Sequence, residues 1–184
     1  MRLMEELSAY EPFNEQEKHD KAVMIRYLEE HDGCFERSDR IAHFTASVWA
    51  VDPSRTKALM VYHNLYKAWS WIGGHSDGER DQRKVALREL MEETGVKNPH
   101  LVSDEIFSLE ILTVDGHVKR GEYVPSHLHL NVTYLVEVEE NEMLAIKPDE
   151  NSGVKWMDVA DIAKLAEEPW MTQHIYKKLI AKTY

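Results

Sequence analysis

The sequence predicts an α/β fold, a mixed β-sheet covered on both faces by helices. Three observations predict it. Residues 42–51 and 127–138 alternate with the period of two that strands show. Asp81 to Thr94 carries helical spacing and ends at Gly95. Strand-like and helix-like stretches interleave along the chain instead of separating into halves. A length of 184 residues suits one ordinary domain, with room for an extension. At 43% apolar and 30% charged residues, the chain has the balance of a globular protein and can bury a core without disulfides.

Each element has a local reason. Asn14 followed by Glu17 reads as a capping box, with Phe13 as its staple residue. The helix it starts runs to about His31 and buries Val23, Met24, Tyr27 and Leu28, and Asp32-Gly33 ends it. Residues 1–40 thus read as an N-terminal helical extension to a domain spanning 41–184. From Ala42, one face carries Phe44, Ala46, Val48 and Ala50, and the other Thr45, Ser47, Trp49 and Val51. Asp52-Pro53-Ser54 turns the chain into a returning strand, 58–62. A short aromatic strand, 69–72, stops at Gly73-Gly74. After the helix at 81–94, residues 104–113 read as a strand and 114–126 as a loop. Strands follow at 127–138 and 153–157, then helices at 158–168 and 169–182.

Composition excludes several functions. Lys and Arg number 22 against 33 Asp and Glu, a formal net charge of -11. Such a chain repels phosphate backbones and anionic membranes, so neither nucleic acid nor membrane is an expected partner. An anionic substrate needs a cationic mediator, usually a divalent metal. Cys34 is the only cysteine, which rules out an internal disulfide. The start lacks a signal-peptide pattern, and no apolar run is long enough to span a bilayer, so the cytoplasm is the expected location.

The chemistry concentrates in Gly73 to Val96. Glu89, Glu92 and Glu93 are spaced i, i+3 and i+4 and share a helical face. Ala86, Leu87, Leu90, Met91 and Thr94 form an apolar stripe about 150° away. The helix is therefore expected to pack by that stripe and present the three carboxylates from nearly the opposite side. At about 6 Å and an effective dielectric near 20, each carboxylate pair costs roughly 3 kcal/mol. Either water screens them or a hard cation neutralises them, and oxygen ligands suit Mg²⁺ or Mn²⁺.

Gly74, five residues, position 80, seven residues and then Arg88-Glu89-Leu90-x-Glu92-Glu93-x-Gly95-Val96 resembles the Nudix box. Eight of its nine specified positions match. The exception is the first glutamate, which falls on Arg80, with Glu79 one residue earlier. The resemblance implies a Nudix-like αβα sandwich around a mixed sheet, preceded by the helical extension. It implies an Mg²⁺-dependent pyrophosphohydrolase acting on a nucleoside diphosphate linked to another moiety, such as ADP-ribose or a nucleotide sugar. Glu89, Glu92 and Glu93 then look like metal ligands, and Glu89 also like a residue that orients or deprotonates water. Arg88 looks like the residue that holds the box glutamates, and Gly74 and Gly95 like turn glycines.

Outside the box, Glu150 is the favoured further carboxylate, as base or ligand, because it lies in a Pro148-Asp149-Glu150-Asn151 loop just before a strand. Asp149, Glu139, Glu140 and Glu110 are the other contenders. His127, His129, Asn131 and Thr133 form one polar strand face, turned either to a substrate cleft or to solvent. Zinc is disfavoured there, since no cysteine or third histidine sits at supporting spacing. His75 either reaches a phosphate or braces its loop. Trp49, Trp69, Trp71 and Tyr66 are either core or base-stacking groups. Of these, Gly74, His75, His129 and Trp71 are the expected substrate contacts.

Three rivals compete with the hydrolase: a nucleotide-sensing domain of the same fold, an isopentenyl diphosphate isomerase and a structural acidic protein. The intact carboxylates count against the sensor, and Cys34, placed ahead of the core, counts against the isomerase. The extension packs its apolar face either on its own domain or on a second copy in a homodimer.

Overall fold

A computed structural model describes residues 2–119, 121–165 and 168–184. Two helices, α1 (Arg2–Ala9) and α2 (Glu15–Glu30), precede four strands, β1 (Ala42–Val51), β2 (Lys57–His63), β3 (Ala68–Ser70) and β4 (Ile72–His75). Helix α3 (Gln82–Thr94) follows, then β5 (His100–Leu101), β6 (Ser108–Val114), β7 (His117–Lys119), β8 (Glu122–Val124), β9 (His127–Glu137) and β10 (Asn151–Asp158). The chain ends in α4 (Val159–Leu165), α5 (Pro169–Met171), a wider turn at Thr172–Tyr176 and α6 (Lys177–Thr183).

The two alternating stretches form the centre of the sheet. They run parallel, with Ala42 opposite Leu128 and Val51 opposite Glu137. The strand order is β10-β2-β1-β9-β5, with β3 on β2, β4 on β1 and β6 on β9. All other pairings are antiparallel, so the sheet is mixed. Every residue of β1 is buried, because both faces are covered. On one face Phe44, Ala46 and Val48 pack with Leu3, Leu7, Met24, Leu28, Val85 and Leu90. On the other, Trp49 and Val51 pack with Met60, Ile162, Ile175, Tyr176 and Leu179. The alternation read from the sequence is therefore the division between the two cores.

Several local expectations change. Residues 2–9 form a helix whose Leu3 and Leu7, four apart, enter the core. In α2 Met24 and Leu28 are buried, but Val23 is exposed. Asn14 caps α2 by accepting the Glu17 N–H at 2.9 Å. Phe13 is exposed, with Lys182 Nζ 5.4 Å from its ring centroid, and the Glu17 carboxylate accepts the Phe13 N–H at 2.7 Å.

Gly73 and Gly74 do not stop a strand; they lie inside β4, opposite Ser47 and Ala46. A Cβ at Gly73 would fall on the Ser47 hydroxyl, so only glycine lets β4 approach β1. The strand expected from 104 starts at Ser108, and the expected loop 114–126 contains the β7–β8 hairpin. The expected helix 158–168 is helical over Val159–Leu165, and residues 166–167 lie outside the described residues. Among the described residues, no helix is long and apolar enough to cross a membrane.

Candidate active site

Helix α3 begins after Asp81 and ends at Gly95, whose φ of 74° is the left-handed turn that glycine adopts without strain. It packs on β1 and β4 through Val85, Ala86, Leu90 and Thr94. Glu89 and Glu93 do not project from the opposite side as expected, although Glu92 does face outward. Glu93 is only 4% exposed, whereas Met91 of the expected apolar stripe is 43% exposed. The helix is rotated from the expected orientation because Gly73 and Gly74 leave β4 without side chains. The space they leave admits carboxylates. A Cβ on Gly74 would sit 2.6 Å from Glu89 Oε2, and the Gly73 N–H donates to Glu93 Oε1 at 3.3 Å.

Glu150 completes the group. It lies in the loop before β10, and that loop is tied to the end of α3. Buried Asn151 donates through Nδ2 to the Glu93 carbonyl at 2.9 Å, and the Ala145 N–H donates to the Thr94 carbonyl at 2.8 Å. One carboxylate oxygen from each of Glu89, Glu93 and Glu150 lies within 4.8 Å of the others. Burial, then the Glu89 and Glu150 charges, push Glu93 up to about 8. Burial also raises Glu89, against the opposing pull of Arg88.

Arg88 Nη2 donates to Glu89 Oε1 at 2.8 Å and to the His75 carbonyl at 2.9 Å. It therefore fixes the carboxylate to the strand beneath it. Glu92 stands outside the three-carboxylate group. It is half exposed and pairs with Lys147 at 2.9 Å, and Lys147 also pairs with Glu150 at 3.1 Å. Arg80 lies over the Phe35 ring, 5.1 Å from its centroid, while Glu79 accepts the Asp81 N–H at 2.9 Å at the start of α3.

The carboxylates open into a cleft of about 1330 Å³. Gly74, His75, His129 and Trp71, the expected substrate contacts, all line it. Arg37 lines it too, paired with Asp77 in two hydrogen bonds of 2.5 and 2.6 Å. Among the aromatic candidates, Trp49 is fully buried with its N–H on Thr183, so it serves the core. Tyr66 lines the cleft, as does Trp170, which the sequence did not single out. The contender Glu110 is fully buried elsewhere and pairs with Lys178 at 2.9 Å. Of the expected polar strand face, Asn131 lines the cleft beside His129 and Thr133 is buried, and both side chains donate to Glu110.

The sequence also left out His43. It comes from β1 and meets His75, His127 and His129, with one ring nitrogen of each within 4.8 Å of the others. The signal was the strand register, in which His43 lies opposite His129 and Thr45 opposite His75. Spacing along the chain could not reveal it.

The arrangement can do specific chemistry. Three carboxylates at this separation, Glu89 and Glu93 among them raised by burial, form an oxygen donor set for a hard divalent cation. Residues 42–179 match the family model described as NUDIX domain. Among solved structures, a C. elegans Ap4A hydrolase aligns at a TM-score of 0.54 with 18% identity, over 76% of this chain and 93% of that one. The E. coli dihydroneopterin triphosphate pyrophosphohydrolase aligns at 0.53 with 14% identity, over 75% and 94%. A NUDIX-family hydrolase from Clostridium perfringens aligns at 0.51 with 20% identity, over 74% and 95%. At these identities the structural likeness concerns the fold. No curated protein matches the chain.

Proposed function

Because the chain belongs to the Nudix hydrolases, which act on phosphoanhydride bonds, we propose that it is an Mg²⁺-dependent pyrophosphohydrolase of a nucleoside diphosphate linked to another moiety. ADP-ribose and nucleotide sugars are the substrate class. The observation that carries this reading is the trio Glu89, Glu93 and Glu150 at the head of the cleft. Without a cation, three carboxylates repel one another and an anionic substrate alike. The Ap4A and dihydroneopterin triphosphate activities of the two structural neighbours accord with a phosphoanhydride substrate.

In this reading Glu89, Glu93 and Glu150 hold Mg²⁺, with Mn²⁺ as a substitute, and Glu92 stands at the rim beside Lys147 as a further ligand. The ion supplies charge neutralisation at the phosphoanhydride. The remaining work falls to the chain. Glu150, at the cleft wall, takes the proton of the attacking water, and Glu89 shares in orienting that water. Arg88 is a positioning residue, since it holds Glu89 and the His75 carbonyl together. Gly74 keeps the floor low enough for both carboxylate and phosphate, and Trp71, His75 and His129 border the space for the substrate.

Residues 1–40 act as an extension that caps the chain's own domain, 41–184. What supports this is the burial of Leu3, Leu7, Met24 and Leu28 in the same core as the sheet. The enzyme works in the cytoplasm, a placement supported by its lone, buried Cys34.

A second reading is a nucleotide sensor, and one observation favours it: Arg80 stands where the family has a glutamate, and its guanidinium is turned onto Phe35. A hydrolysis panel separates the two. Wild type and Glu93→Gln are assayed with ADP-ribose, nucleotide sugars, dinucleoside polyphosphates, nucleoside triphosphates and coenzyme A. Turnover that needs the metal and collapses in Glu93→Gln supports the hydrolase and identifies its substrate. Nucleotide binding without turnover supports the sensor.

A further inference from the structure

We propose that His43, His75, His127 and His129 form a second metal site, built for a late first-row transition ion of the Zn²⁺ class. The four imidazoles come from three strands, His43 from β1, His75 from β4 and the other two from β9. One nitrogen of each lies within 4.8 Å of the other three. His127 Nε2 and His129 Nε2 are 3.2 Å apart. Two ligands of a tetrahedral ion with Zn–N bonds near 2.0–2.1 Å lie about 3.3 Å apart, so this pair already has the required spacing.

The protonation pattern carries the argument further. His43 Nδ1 lies 2.9 Å from the Asp39 carbonyl, and His127 Nδ1 lies 2.9 Å from the Pro125 carbonyl. A carbonyl only accepts, so each Nδ1 carries the hydrogen and each Nε2 carries a lone pair. Backbone carbonyls that fix the outer nitrogen in this way are the usual support for a metal-bound histidine. His43 is 4% exposed, and its Nε2 lone pair has no hydrogen-bond partner. Leaving such an acceptor buried and unpaired costs about 1–3 kcal/mol. A hydrogen bond from His129 to His127 satisfies that pair and leaves His43 unsatisfied. An ion at the convergence point satisfies all of them.

The donor set determines which ion. Four neutral imidazoles suit Zn²⁺, Ni²⁺ or Cu²⁺ and select against Mg²⁺, which takes oxygen. Four protein ligands also close the coordination sphere, the pattern of a structural zinc site. The ion would tie β1, β4 and β9 together at the residue following Gly74. Because Arg88 bonds both the His75 carbonyl and Glu89, that tie also steadies the floor of the carboxylate site. His75 and His129 then shape the cleft through the ion instead of hydrogen-bonding the substrate.

The test is Co²⁺ titration of the chelator-treated full chain, followed by visible absorption. One equivalent should give the intense bands of a four-coordinate ion, displaced by Zn²⁺ and not by Mg²⁺. His127→Gln, at a partly exposed position, should keep the fold by circular dichroism and weaken Co²⁺ binding at least about 10-fold. At equal concentration, Zn²⁺ should raise the melting temperature of wild type more than that of His127→Gln. Glu93→Gln should keep the bands, so failure of the carboxylate site and failure of this one are distinguishable. Bands absent from folded wild type, bands unaffected by His127→Gln, or bands lost in Glu93→Gln instead would overturn the proposal.

Discussion

Two carboxylate groups, each built around a buried glutamate, sit on the same scaffold and are treated in opposite ways. Glu17 and Glu110, between α2, β6 and α6, are both fully buried. Lys178 bonds both, Glu17 at 3.2 Å and Glu110 at 2.9 Å, and Lys182 reaches Glu17 at 3.0 Å. The Tyr10 hydroxyl adds a bond of 2.6 Å to Glu17. Burial alone would raise Glu17, yet Tyr10 and the lysines hold it down at about 2. Glu93 is nearly as buried, but it faces the Glu89 and Glu150 charges with only the Gly73 N–H and the charge of Lys147 opposing them, and burial with those two charges pushes it up to about 8. The first group brings its own cations and is complete. The second is offset only in part, by Arg88 on Glu89 and Lys147 on Glu150, and among the described residues Glu93 has no ion pair of its own.

Glu93→Gln should lower kcat by roughly 10²–10⁴-fold while raising the melting temperature of metal-free protein above pH 4.5, because it removes a carboxyl that folding must protonate or bury charged. Steady-state kinetics and calorimetry with chelator present check the two halves. Glu17→Gln should do the reverse, costing about 3–5 kcal/mol in urea melts by removing the carboxylate of Lys182 and leaving Lys178 with Glu110 alone. Activity per folded molecule should hold.

The pH dependence sharpens the contrast. Glu17 is held below its ordinary value of 4.5, so its contribution to stability is full above 4.5 and is lost as pH falls towards about 2. Glu93 is raised, so its contribution is full below 4.5 and is lost as pH rises through about 8. Urea melts in chelator across that range should show both limbs. Glu93→Gln should flatten the alkaline one alone. The smallest effect belongs to Lys147→Met, which breaks partly exposed pairs with Glu92 and Glu150 and should change stability by no more than about 1 kcal/mol.

The sheet was legible in the sequence because burial writes period two into a strand, as at Phe44, Val48 and Trp49. The box was legible because a helix and a glycine turn are local. The orientation of α3 was not. Apolar count favoured Met91 as core, but the decisive feature was the bare backbone at Gly73 and Gly74, which draws Glu89 and Glu93 inward. Glu150 was readable from its loop, although Asn151, which fixes that loop to α3, was not. The four histidines lay beyond reach because they meet only through the pairing of β1 with β4 and β9. The hairpin at 117–124 was too short, and too interrupted by Gly121, to show a period.

The most direct test of the account is Mn²⁺ binding to the chelator-treated full chain, read from the electron paramagnetic resonance of the free ion. Mn²⁺ prefers the carboxylate oxygens to the imidazoles. Wild type should bind it, and Glu93→Gln and Glu150→Gln should each bind at least about 10-fold more weakly, with hydrolysis falling in step. Unchanged Mn²⁺ affinity in both variants would contradict the proposal that Glu89, Glu93 and Glu150 hold a divalent cation.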